Sequence, residues 1–143
     1  MLRNLAAGTA LVAFTVLIHT VGLIAIARAT PWAARRLRLH SHDVGRTLVM
    51  TGTVIGLLGI LTLEIWSWAV AYSLLGLVGN FEEALSLSTA MFSTIGYGEL
   101  RFDTSWRLLT ALEGINGFLM IGWSTVYLVR ASILHGPFRQ EHF

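Results

Sequence analysis

Cysteine is absent from the chain, which removes disulfides, thiolate chemistry and cysteine-ligated metal from the functions open to it. Lysine is missing as well: the ten basic residues are all arginines, and they stand in short connecting segments with no basic tail or groove, so nothing points to nucleic acid. Charge of either sign is scarce, at 13% of residues, and there are only two prolines. No catalytic carboxylate pair, nucleophile with a base, metal-ligand cluster or phosphate-binding loop stands out, so the chain reads as a protein that is not an enzyme and needs no cofactor. No internal repeat, low-complexity run or linker appears. Against these absences, 55% of residues are hydrophobic and the mean hydropathy is +0.67, which is the composition of a membrane protein.

Three apolar stretches, 5–27, 49–78 and 108–133, are each long enough to cross a bilayer as helix, since a crossing takes about 20 residues. The first runs without charge through ALVAFTVLIHTVGLIAIA, then meets Arg28 and the Pro31-Trp32 pair, a proline and an interfacial aromatic that mark its exit from the bilayer. A charged start and a small-x-small triplet at Ala27-Arg28-Ala29 suggest a signal peptide, but the apolar run is too long. Cleavage would also leave Arg35, Arg36, Arg38 and Arg46 on the translocated side, so the segment is expected to be retained. The five arginines of 28–46 assign that loop to the cytoplasm, which puts the N-terminus outside and the C-terminus inside the plasma or bacterial inner membrane. Two parts follow: an N-terminal span with its basic loop, 1–46, and a second unit, 47–143.

Between the second and third spans lies NFEEALSLSTAMFSTIGYGELRFDTSW, neither a spanning helix nor a hydrophilic loop. Asn80 can cap a helix whose first turn holds Glu82 and Glu83, and the apolar run that follows is too short to cross. A half-spanning re-entrant helix fits, its partially negative C-terminal end aimed into the membrane, where it attracts a cation. At that end stands Thr94-Ile95-Gly96-Tyr97-Gly98. A pore that strips water from potassium must offer successive rings of oxygens, most simply backbone carbonyls turned to one axis. Turning them the same way needs backbone angles that glycine visits freely, hence Gly96 and Gly98 at alternate positions. Thr94 adds a hydroxyl, while Ile95 and Tyr97 point away and brace the strand by packing.

Residues 84–99 resemble the pore helix and selectivity filter of the potassium channel family, whose Thr-Val-Gly-Tyr-Gly filter the Thr-Ile-Gly-Tyr-Gly stretch matches. The resemblance implies an all-α membrane protein of three transmembrane helices plus a re-entrant pore helix and filter loop. One chain would supply a quarter of a homotetrameric pore with three further copies of itself. The second span would be the outer helix and the third the inner helix. Potassium, as permeant ion, would be held at Thr94, Ile95, Gly96 and Tyr97, with Ser93 and Glu99 as flanking support. Ser86 and Leu87 stand where the family often has aromatic residues that clamp the filter tyrosine, Glu99 where it usually has aspartate, and Ala90 where some members have a glutamate. The first span is additional and lacks the repeated arginines of a voltage sensor. Two other readings stay open: a weakly selective cation channel, and a non-conducting, pore-like subunit of a potassium transport complex. Uptake chains of the latter kind usually carry four pore segments in one polypeptide, and this chain has one.

Glu64 and Glu113 are acidic residues inside apolar spans. Either could shape the electrostatics near the filter or serve as a hydrogen-bonded packing group; as filter support they would bond to Ser and Thr of the pore helix. At ~1.5 Å per residue Glu113 lies ~10 Å below the outer end of its helix, at pore-helix depth. His19, a lone histidine in a span, reads as a bundle contact more than a sensor or ligand. Trp66, Trp68 and Trp123 are expected to pack, and Trp32 and Trp106 to anchor at interfaces. Gly117 is the gating-hinge candidate, with close helix contact as the alternative, and Leu119, Gly122 and Val126 are expected to line the inner cavity.

Overall fold

The computed structural model describes residues 2–36, 43–96 and 106–135. All regular structure among them is helical: α1 (Leu2–Arg36), α2 (Asp43–Leu74), α3 (Phe81–Phe92) and α4 (Arg107–His135). Three of these are long and apolar enough to cross a membrane, over Asn4–Trp32, Val44–Leu74 and Arg107–Leu134. The fold is that of an all-helical membrane protein. Tyr97, Gly98 and Glu99, with the middle of the basic loop and the C-terminal tail, lie outside the described residues.

Contacts between the long helices establish their directions. Near its start α1 meets the first half of α4, where Gly8 faces Leu112; near its end, Ala27 and Pro31 share a hollow with Tyr127 and Ala131. α1 and α4 therefore run parallel. α2 runs against both, with Gly22 of α1 on Ile60 and Ile26 on Gly56. Gly8 and Gly22 permit the closest of these approaches: a Cβ at either would stand 2.6 Å from the facing side chain, Leu112 or Ile60. The N-terminal end of α1 and the α3 segment consequently share one side of the bundle.

α1 extends further than its apolar run. The helix passes through Pro31 and ends at Arg36, so the proline does not terminate it. Pro31 has no N–H to offer the Ala27 carbonyl, but the turn beside it gains a hydrogen bond from the Thr30 hydroxyl to the Ile26 carbonyl at 2.8 Å. Thirty-five residues at ~1.5 Å each exceed the ~30 Å hydrocarbon core, leaving the arginine-bearing end free to emerge.

α3 is 12 residues long, ~18 Å at helical rise and about half a span. Its start follows the sequence: Asn80 Oδ1 accepts from the Glu83 N–H at 2.8 Å, and Glu83 Oε2 reaches back to accept from the Gly79 N–H at 3.2 Å. Replacing Asn80 by alanine should cost about 1 kcal/mol, read as a lower unfolding midpoint of the purified protein.

α3 is held by the other three helices around a core of Trp68, Tyr72, Ala84, Leu87, Phe92 and Leu109, against which Leu11, Val12 and Val16 of α1 also pack. Trp68 is fully buried as expected, whereas Trp66 and Trp123 are about half exposed within the chain. Trp66 lies edge-on to Phe81 and Trp123 lies over His19.

Candidate functional site

The end of α3 is where the backbone becomes unusual. The Ser93 N–H donates to the Thr89 carbonyl, the Thr94 N–H to Met91 and the Gly96 N–H to Ala90, at 3.0–3.1 Å. These bonds fold the chain back over the last helical turn and satisfy carbonyls that a helix end leaves open. Thr94 (φ 62) and Gly96 (φ 73) both lie in the left-handed region. Glycine suits Gly96 for this reason. Thr94 is a β-branched residue in the position where helices commonly end on glycine, at a cost of about 1–2 kcal/mol. Left-handed angles thus stand at both Thr94 and Gly96, two residues apart.

Thr94, Ile95 and Gly96 are exposed within the chain, and Ile95 is 83% exposed. The bracing expected of Ile95 is therefore not made inside its own chain. Met91, Thr94 and Gly96 instead border an open hollow of about 620 Å³ together with Gly114, Phe118 and Leu119 of α4. Ser93, the cap residue of α3, has its hydroxyl on the Ala90 carbonyl at 3.3 Å.

Behind α3 the two buried glutamates part company. Glu113 is fully buried and accepts a short hydrogen bond from the Tyr72 hydroxyl on Oε2, while its Oε1 lies 2.5 Å from Ser88 Oγ. Ser88 Oγ is also 2.8 Å from the Ile65 carbonyl, so one hydroxyl proton faces two acceptors. Glu113 thereby ties α4 to α3 and α2. The carboxyl of Glu64 turns toward the first helix, with Oε1 2.9 Å from His19 Nδ1, and makes no side-chain bond to α3 among the described residues. Both partners are fully buried. His19, expected as a bundle contact, thus contacts Glu64 of α2; Ser88 is one of the α3 hydroxyls to which a buried glutamate was expected to bond, and Tyr72 joins the site although it attracted no notice in the sequence.

Gly114 and Gly117 let α4 lie directly on the end of α3. A Cβ at Gly117 would stand 2.1 Å from the Phe92 carbonyl oxygen and 2.8 Å from its Cα, whereas one at Gly114 would be 3.5 Å from the Met91 oxygen. α4 is continuous through Gly117 in this conformation, which accounts for the glycine by close contact. Leu119, Gly122 and Val126 fall on a face of α4 that the chain's own helices leave uncovered, continued by Ile115, Val129 and Ile133. Spacings of four and three residues make these one stripe along the helix.

A sequence profile of the ion channel family, whose domain is the two-span potassium-channel type, matches residues 58–133, more than half of the chain. The chain belongs to this family and is an ion channel protein of the membrane. The matched region takes in about half of α2, all of α3 and nearly all of α4; α1 lies before it. No curated protein and no solved structure gives a significant match.

Proposed function

We propose that the protein is a potassium-selective channel in which four copies of the chain surround one pore and pass potassium down its electrochemical gradient. The observation that carries this reading is the left-handed backbone at both Thr94 and Gly96, at the C-terminal end of a half-length helix inside an ion-channel domain. A potassium filter needs carbonyl oxygens turned to a common axis, and the negative end of the α3 dipole lies beside this segment. Potassium would be held by oxygens of Thr94, Ile95, Gly96 and Tyr97, with Gly98 completing the filter. The uncovered apolar stripe on α4 and the open hollow beside the filter give neighbouring copies a surface to fill. With the 28–46 loop in the cytoplasm, the N-terminus and the filter entrance lie outside.

Cation flux through the purified protein in liposomes tests this reading. Potassium should pass in clear preference to sodium. Gly96→Ala should lower potassium flux at least about tenfold, because alanine at this backbone angle costs about 1–2 kcal/mol in every copy. Among the described residues the new methyl meets no atom within 4 Å, so backbone angle is what the variant probes. Equal potassium and sodium flux would favour the weakly selective channel, to which the absent aromatic clamp at Ser86 and Leu87 lends weight. Absence of flux from a correctly assembled protein would favour a non-conducting subunit.

A further inference from the structure

The helix outside the family match is bonded into the scaffold of the filter. Starting at α1, His19 Nδ1 meets Glu64 Oε1 at 2.9 Å on α2. The next residue, Ile65, offers its carbonyl to Ser88 of α3 at 2.8 Å, and Ser88 lies 2.5 Å from Glu113 of α4. One turn further along α4 the Asn116 amide donates to Thr15 Oγ1 of α1 at 2.9 Å, and Thr15 is one turn from His19. The path returns to α1 through all four helices, with the single Ser88 proton shared between the Ile65 carbonyl and Glu113. Thr15, His19, Glu64, Ser88 and Glu113 have no exposed surface, and Asn116 has 2%. Thr15 is fully used, since its own proton goes to the Leu11 or Val12 carbonyl while its oxygen accepts from Asn116.

We propose that α1 is part of the filter's support, with Thr15 and His19 acting as positioning residues that fix the height of α2 and α4, and through Ser88 and Glu113 the height of α3. Apolar contacts between spanning helices are non-directional and tolerate sliding, particularly in lipid, where no hydrophobic gain separates one register from the next. A buried hydrogen bond is directional, and a slide that breaks it leaves polar groups without partners in a medium that offers no water. A closed ring requires several such bonds to fail together. The carbonyl rings of a filter need the same height in every copy, so a device that sets axial register suits this place.

The proposal rests on the potassium-channel reading, and its test separates the two. Thr15→Val removes the acceptor for Asn116 at nearly constant volume, and Thr15→Ser retains it. Leu23→Ala is the packing control: Leu23 holds α1 against Leu57 and Ile60 one turn beyond His19, and as an apolar contact it takes no part in the hydrogen bonds of the ring. Potassium-to-sodium permeability in liposomes should fall about five- to tenfold in Thr15→Val, the factor associated with one buried hydrogen bond. It should return in Thr15→Ser and stay near the native value in Leu23→Ala. The double variant Thr15→Val/Ser88→Ala should lose less than the sum of its parts, both in permeability ratio and in thermal unfolding of the assembled protein. An unchanged ratio in Thr15→Val, an equal fall in Leu23→Ala, or strict additivity would overturn the proposal. A native protein without selective flux would sink the channel reading alone, and the ring would then stand or fall on additivity in unfolding.

Discussion

Gly117→Ala should prevent the native assembly. The new methyl would sit 2.1 Å from the Phe92 carbonyl oxygen, with the Phe92 carbonyl carbon and Cα both inside 3 Å, and all three atoms are backbone. No rotamer change relieves such a clash, so either α4 moves outward or the end of α3 shifts, and the proposed filter segment begins two residues beyond Phe92. A cost of about 3 kcal/mol per chain, the upper end for an overpacked site, is expected, with loss of the assembled species on size-exclusion chromatography and loss of flux. Gly114→Ala is the matched control, because 3.5 Å from the Met91 oxygen is ordinary contact. It should assemble normally. The pair also decides between hinge and contact. Alanine is the better helix former by about 1 kcal/mol, so a glycine retained only for bending would give a protein as stable or more so, with altered gating. A Gly117→Ala protein that assembles and conducts with shifted gating would restore the hinge.

The second large effect is expected at Glu113, where chemistry and size can be separated. Glu113→Ala strands the buried Tyr72 hydroxyl and leaves Ser88 with one partner, besides opening a cavity. Each unpaired buried polar group costs about 1–3 kcal/mol, and the missing side-chain atoms add to it. Destabilisation of about 3–5 kcal/mol in thermal or denaturant unfolding, with loss of flux, should follow. Glu113→Gln should be tolerated. Its amide oxygen can accept from Tyr72 while its nitrogen donates to Ser88, which frees the single Ser88 proton for the Ile65 carbonyl. Equal damage from Gln and Ala would show that a negative charge at this position is indispensable, which is a different account of the site.

Much of the architecture was readable along the chain because its causes are local. Hydropathy marks three spans, and the boundaries expected for the third, 108–133, differ little from Arg107–His135. The α3 cap was legible because Asn80 and Glu83 lie three residues apart. The Pro31-Trp32 pair coincides with the end of the apolar span at Trp32, while the helix itself runs on to Arg36 because it tolerates one missing backbone bond where a neighbouring hydroxyl reaches the preceding turn. Glu113 at the depth of α3 also followed from helical rise. Its partner Tyr72 did not, being 41 residues away and indistinguishable in sequence from any other aromatic near a span end.

Glu64 illustrates the boundary most plainly. A carboxyl in an apolar span must find partners, and the chain offered both the pore-helix hydroxyls and His19. Which it meets depends on how α1 and α2 pack and which way each helix is turned, and the glycine contacts at Gly22 and Gly56 govern that approach. Thr15 and Asn116, 101 residues apart, are joined for the same reason. Hydropathy, end-capping and the glycine spacing of 94–98 act within a few residues, so order along the chain sufficed for the number of spans, the half-length helix and the ion-channel character. The pairing of buried polar groups is a property of helix rotation and height, which many distant contacts set together, and it emerged once the four helices were packed.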